Sequence, residues 1–293
     1  MTKRSLYPFA FLTPGMTATI AIILLPILYT ISLSFMNYII WKPADTSFVF
    51  LRNYRTVWGD DIFLESLRHT LVWIIVVIAL QLLLGFSTAL YLNREFVGRA
   101  VARSLVLIPW VTPSVITGLM WRWMYDGNSG LINDLLVRAG IIDRYVPWLA
   151  QSSTALPAVM VALMWQGFPF FAIMILAGLQ AIPQELYEVA DVDGASNLQK
   201  FFRITLPILT PVLFTTILLR TIWVANSLDI IFIMTGGGPG YSTHTLPLYA
   251  YLKAYKGLDF SYAATISVYL TILLITFVVL YVIRVMKNED IYG

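Results

Sequence analysis

The sequence predicts an all-α membrane protein: a six-helix transmembrane bundle in a single domain covering residues 1–293. Three observations carry that expectation. Hydrophobic residues make up 59% of the chain and charged ones only 12%, about half the charged share of a soluble domain. Uncharged runs occupy 5–41, 69–93, 104–121, 145–184 and 260–283; a helix crosses the ~30 Å hydrocarbon layer in about 20 residues. The alternating segments of about ten residues that a membrane barrel needs are absent from the sequence.

The six helices are expected near 10–36, 69–92, 102–125, 155–181, 206–234 and 261–284. Lys3 and Arg4 precede the first as they would a secretory signal. Its apolar run is longer than a signal core and lacks a small-residue cleavage site, so it is read as a retained helix. Residues 1–65 thus hold the first helix and a loop, and 66–285 the core region. In the third helix Pro109, Trp110 and Pro113 predict a kink alone, and "WRWMY" at 121–125 an interfacial aromatic belt. In the fourth, "MWQGFPFF" joins Trp165 and Gln166 to a Gly167–Pro169 break, of the kind tolerated where it lines a cavity.

The fifth helix meets two ionisable residues. Arg220 stands about 21 Å beyond Leu206, past the midplane. Asp229 lies roughly 180° around the helix from it and near an interface, where a structural role is expected. Arg220, Trp223 and Asn226 form a row at i, i+3, i+6, presenting a charge, an aromatic plate and an amide, as sugar sites do. An equal reading makes Arg220 a brace to another helix or subunit. Then comes "TGGGPG" at 235–240, read as a turn made flexible by glycine and stiffened by Pro239. It lacks the lysine of a nucleotide-binding loop. Loops 37–66 and 126–153 are mixed in charge and suit an outer docking surface.

Other chemistries find little footing. The chain has no cysteine, and its net charge of +3 is too small and dispersed for nucleic acid. His69 and His244 are far apart with no ligand partners at useful spacing, so no metal site is expected. No nucleophile–base set or carboxylate pair falls at membrane depth.

One polar passage, "YEVADVDGAS" at 187–196, interrupts the apolar runs. Ile182-Pro183 ends the fourth helix, because proline suits a first turn and forbids continuation. Residues 184–193 then read as a short helix with Leu186, Val189 and Ala190 on one face and Glu185, Glu188 and Asp191 on another. Gly194 stands where a left-handed residue ends a helix. Ser196 with Gln199 matches a capping box opening a second short helix, which carries Phe201 and Phe202 and runs to Leu206-Pro207. A helix this short needs its apolar face covered, and Asp191 sits at the unfavourable end of the dipole. Both facts suit docking into a groove with a basic rim; the bland alternative is that Asp193 caps the second helix and Glu188 is simply solvated.

An even number of helices puts both termini on one side. Each side carries nine Lys and Arg, Arg220 completing the nineteen. The terminal side has the shorter loops and the Arg94, Arg99, Arg103 cluster, so the termini and 187–196 are expected in the cytoplasm.

Glu188, Ala190, Asp193-Gly194-Ala195, Phe201, Ile204 and Leu206-Pro207 resemble the "EAA" loop of the membrane subunits of binding-protein-dependent ABC importers; Val189 replaces the first alanine of the usual pair. "GLQAIPQELYE", and "TGGGPG" following "RTIWVANSLDIIFIM", are similar to the carbohydrate-uptake branch, in the maltose and glycerol-phosphate permease style. The resemblance covers most of 65–285. It implies a type I importer fold in which loop 184–206 is a cytoplasmic coupling helix, with Glu185, Glu188, Ala190, Asp191, Asp193, Gly194 and Ala195 seated in an ATPase subunit. It implies a second homologous permease, an ATPase dimer that binds ATP and Mg, an external solute-binding protein, membrane lipid and a sugar or sugar-like substrate. It places the chain in a bacterial or archaeal inner membrane, with no ATP hydrolysis of its own. The rival reading, an ion-coupled secondary transporter, lacks the inverted repeats and midplane carboxylate of that class.

Overall fold

The computed structural model describes residues 7–289, and among them the chain is mostly helical. Helix α1 (Tyr7–Thr19) widens into a π-turn at Ile20–Leu24 and continues as α2 (Leu25–Ser34). A hairpin of β1 (Met36–Asn37) and β2 (Ser47–Phe48) pairs antiparallel, Met36 opposite Phe48. Then come α3 (Arg52–Val57), α4 (Asp61–Asn93), α5 (Arg99–Val111), α6 (Ser114–Met124), α7 (Leu131–Arg138) and α8 (Ser152–Gln180). After them follow α9 (Gln184–Val192), α10 (Asn197–Lys200), a second π-turn at Phe201–Thr205, α11 (Leu206–Asn226), α12 (Asp229–Met234), α13 (Leu246–Tyr255) and α14 (Phe260–Glu289). Among the described residues five helical stretches are long and apolar enough to cross a bilayer: Phe11–Ser34, Asp61–Asn93, Ser152–Gln180, Asn197–Met234 and Phe260–Arg284. The bent pair α5–α6 makes a sixth if counted as one span.

Three of the helix interruptions fall beside prolines. Each π-turn ends two residues before a proline, Pro26 or Pro207, which then sits in the first turn of the next helix. A proline lacks its amide and crowds the carbonyl four residues back, and widening the preceding turn relieves both. The helix opened by Ser196 therefore does not stop at Leu206-Pro207, as its sequence suggested; it runs through the π-turn into α11. The third span is more than kinked. Pro113 drives Thr112 out of the helical region, to ψ 123°, and α5 and α6 meet at 93°. The fifth span also breaks, at Ser227 with ψ 115°, before α12. By contrast α8 runs unbroken through Pro157 and Pro169, so the expected break at "GFP" is not there.

The chain divides into two compact units. One holds the residues up to Leu64 together with Tyr249–Leu273. Its centre is aromatic: Trp58 donates from Nε1 to the Tyr269 hydroxyl at 2.7 Å, and Tyr269 donates to the Tyr54 carbonyl at 3.1 Å. Buried Asn53 donates to the carbonyls of Ser34 (3.0 Å) and Met36 (2.7 Å), fastening the hairpin's start. The Asp60 carboxylate accepts from the Ile62 amide, capping α4, and from the hydroxyls of Tyr249 and Tyr262. Lys253 lies 4.6 Å from the centre of the Tyr262 ring.

The other unit comprises Glu65–Leu248 and the chain from Leu274 onward. Here α8 packs on α5 and α11, and α6 on α12. Buried Trp73 of α4 donates to the Val224 carbonyl of α11 at 3.0 Å. The Gly-rich turn after α12 is tied down rather than flexible. Thr235 and Thr243 share a 2.8 Å hydroxyl contact, and Thr243 also donates to the Gly238 carbonyl at 3.0 Å. His69 and His244, distant in sequence, meet here: the His69 ring lies 3.1 Å from the His244 carbonyl. Of the expected aromatic belt, only Trp123 is outward. Trp121 and Tyr125, four apart on one face, are buried against each other, 5.5 Å between ring centres.

Candidate functional site: a cavity and a surface corner

Within the larger unit a cavity of about 380 Å³ opens where the α5–α6 break faces α8 and α11. Trp110, Thr112, Pro113 and Ser114 come from the break, Gln166 and Gly167 from α8, Arg220 and Trp223 from α11, and Ser227 from the break beyond it. Arg220 is buried, 7% exposed. Its Nε and Nη2 both donate to Gln81 Oε1, at 3.0 and 2.8 Å. Fully buried Gln81, on α4, in turn donates from Nε2 to the Leu163 carbonyl at 2.8 Å. The guanidinium carbon lies 5.8 Å from the centre of the Trp223 ring. Among the described residues no carboxylate forms an ion pair with Arg220.

Gly167 makes this arrangement possible, because a Cβ there would overlap both Arg220 Nη2 and Gln81 Nε2. Gln166, one residue earlier, repairs the opposite wall. Its Nε2 donates to the Thr112 carbonyl at 3.0 Å and the Ser114 hydroxyl at 3.3 Å, satisfying polar groups that the helix break exposes.

The cavity gathers three of the five residues assigned to a substrate path: Arg220, Trp223 and Gln166. Asn226 is exposed and spends its amide on the Ile222 carbonyl of its own helix, at 2.8 Å. Trp165 packs edge-on against Trp121, 6.0 Å between centres. Neither lines the cavity. Trp110 does, together with Pro113, so this stretch shapes a wall and not a kink alone. Asp229 is exposed at the start of α12. Gln81 was missed, although an amide inside the apolar run 69–93 is the sort of buried polar group that calls for a partner.

The polar passage forms the corner its residues predict. Helix α9 ends in paired hydrogen bonds, Ala195 N–H to the Ala190 carbonyl at 2.9 Å and Gly194 N–H to that of Asp191 at 3.1 Å, a Schellman cap. Gly194 holds the required left-handed φ of 73°. Ser196 and Gln199 close a capping box on α10. Lys200 Nζ lies 2.7 Å from Asp191 Oδ1, so the charge at the end of α9 is offset within the chain and needs no partner's base. Tyr187 and Thr205 join by their hydroxyls at 2.8 Å, tying α9 to the root of α11.

What remains uncovered is apolar and acidic. Leu186, Val189 and Val192 are 42, 61 and 88% exposed, and Leu198 and Phe202 are 68 and 57% exposed. Glu185, Glu188 and Asp193 stand exposed beside them, while Ala190 and Ala195 are half-buried. The face expected to be covered is therefore open in this chain.

Comparison with known proteins settles what such a chain is. A model of the family "Binding-protein-dependent transport system inner membrane component" matches residues 81–287. The chain belongs to that family. This permease is 38% identical over 273 residues to the trehalose/maltose transport system permease protein MalF of Thermococcus litoralis, covering 93% of this chain and 91% of that protein. It is 33% identical over 279 residues to the sulfoquinovosyl glycerol transport system permease protein SmoG of Agrobacterium fabrum, covering 95% and 90%. In fold it is similar to a chain of a bacterial ABC transporter that imports the acidic polysaccharide alginate: TM-score 0.83, 20% identity, 97% of this chain and 95% of that one. It is a multi-pass inner-membrane permease of the type I importer fold.

Proposed function

We propose that this permease is one of two membrane subunits of an ATP-driven importer for a sugar or sugar-like solute, and that its α9–α10 corner seats in a cytoplasmic ATPase subunit. The observation that carries the reading is the corner itself. It is braced internally by the Schellman cap, the capping box and the Asp191–Lys200 pair, yet presents open apolar side chains ringed by acids. An exposed apolar surface of that kind requires a cover. In this reading both termini lie in the cytoplasm, ATP and Mg are bound and hydrolysed by the partner ATPases alone, and a solute-binding protein docks on the far side. Closure of the ATPases pushes the corner, and the Tyr187–Thr205 tie passes the displacement to α11, which carries Arg220 and Trp223 into the cavity wall.

The substrate class rests on the relatives' names, which specify trehalose and maltose and a sulfoquinovosyl glycerol. The cavity suits such solutes, since indole planes and multiple donors serve apolar ring faces and hydroxyls together. No feature favours an ion-coupled mechanism: among the described residues no carboxylate is buried, and Asp229 is exposed. The test is Glu188→Lys in the complete importer. Membrane insertion is retained and ATP-dependent uptake is lost; uptake equal to wild type in that variant overturns the coupling role.

A further inference from the structure

Among the described residues Arg220 is the sole charged side chain on the cavity wall, and its hydrogen bonds go to the neutral amide of Gln81. A guanidinium stays protonated under all ordinary conditions. Buried charges are normally matched by opposite ones, and here an amide occupies the place a carboxylate would take. Gln81 fixes the guanidinium's direction without cancelling its charge. Its two bonds use Nε and one edge of Nη2, and among the described residues no hydrogen bond is made by Nη1. Gly167 removes the side chain that would otherwise displace the pair. The arrangement fixes a full positive charge, carried on a membrane-spanning helix, at the cavity wall.

We infer that Arg220 is an electrostatic barrier that keeps protons and alkali cations from leaking through the sugar path. The inference rests on the transporter reading above. A path wide enough for a hydrated sugar admits water, and water conducts protons. Steric closure alone discriminates poorly against so small a charge carrier. A fixed cation in low-dielectric surroundings repels other cations while leaving a neutral solute free to pass, as positive groups do in water-selective pores. Gln81 is then the positioning residue that holds the barrier uncompensated.

The complete importer, with its second permease and ATPase subunits, is reconstituted in vesicles carrying a trapped pH-sensitive dye. A valinomycin-driven potassium diffusion potential, inside negative, is imposed with no ATP and no sugar. Wild type shows slow acidification. Arg220→Gln removes the charge, and Gln81→Glu cancels it by an ion pair; each raises proton entry on the order of tenfold, as loss of a several-kT barrier predicts. Arg220→Lys keeps the charge while losing the fork geometry, and its leak stays near wild type. Proton entry unchanged in both Arg220→Gln and Gln81→Glu overturns the inference. So does a leak in Arg220→Lys equal to that in Arg220→Gln, or release of a trapped neutral sugar by the same variants, which would make the barrier steric. The coupling role is read separately: Glu188→Lys vesicles retain wild-type proton tightness while losing uptake, so failure of either idea shows independently.

Discussion

Gly167 and Gln81 decide where Arg220 can stand, and neither announces this by composition. A glycine in a membrane helix can mark a break, a packing contact or nothing. Only the three-dimensional approach of two side chains from α4 and α11 shows that its missing Cβ is occupied space. Replacing it with alanine overpacks the site, at a cost of about 1–3 kcal/mol. Gly15→Ala, with nothing within 4 Å of its added methyl, is neutral or stabilising by up to about 1 kcal/mol, since alanine favours helix. Thermal unfolding of the two purified variants in detergent separates them; equal melting temperatures would contradict the overlap at Gly167. Asp60 supplies a second prediction at this scale. Burial pushes its carboxyl up, but the hydroxyls of Tyr249 and Tyr262, the Ile62 amide and the Lys253 charge together hold it below its ordinary value. A carboxyl whose folded value is depressed stabilises the fold above its unfolded value, near about 3.9, and loses that contribution as pH falls through the folded one. Asp60→Asn therefore lowers stability at neutral pH and flattens the acid limb below about pH 4, read by unfolding midpoints across a pH series.

Helices were legible where periodicity and punctuation agree. The expected cap at Gly194 and the box at Ser196–Gln199 both form, because each depends on residues within a few positions of one another. Prolines were legible as disturbances but not in kind. Pro113 bends its span by 93°, whereas α8 runs on unbroken through Pro169. The difference lies in what receives the freed backbone groups. At Thr112 a neighbouring helix offers Gln166, and that pairing spans 54 positions, beyond any local pattern. The same contrast governs the row Arg220, Trp223, Asn226. The i, i+3, i+6 spacing turns the row by roughly 120° around the helix, so Arg220 and Trp223 line the wall and Asn226 leaves it. For the corner, Gly194→Val forces a branched side chain into a left-handed φ and costs about 1–2 kcal/mol, and Ser196→Ala loses a cap worth about 1 kcal/mol. Asp191→Asn removes a pair with a 60% exposed acid, worth roughly 0.2–1 kcal/mol. Transport should fall in that order, steeply for Gly194→Val and little for Asp191→Asn. Equal loss in all three would mean that the corner's shape is not what is being transmitted.

At the scale of the whole molecule, the sequence could place spans but not say which surfaces end up covered. Hydropathy registers that a side chain avoids water, and lipid, a second permease and a motor subunit satisfy that demand equally well. The first span illustrates this, its side chains from Phe11 to Leu28 all exposed in this chain. The open apolar side chains at the corner belong to a different class, because polar backbone turns and acids surround them, and no lipid tail is compatible with Glu185, Glu188 and Asp193 at close range. The two surfaces should then fail independently. A charge placed on the corner, Val192→Glu or Leu198→Glu, releases the ATPase subunits from a detergent-purified complex while the second permease stays bound. Both positions are more than half exposed, so the chain itself folds and inserts as before. Each lost anchor should weaken capture of the ATPase at least tenfold, since a buried apolar anchor at the heart of an interface typically contributes 2 kcal/mol or more, about thirtyfold in affinity. Retention of the ATPase by Val192→Glu and Leu198→Glu together would place its seat elsewhere on the molecule, and loss of both partners at once would mean that the corner supports the fold of the membrane domain instead of a contact outside it.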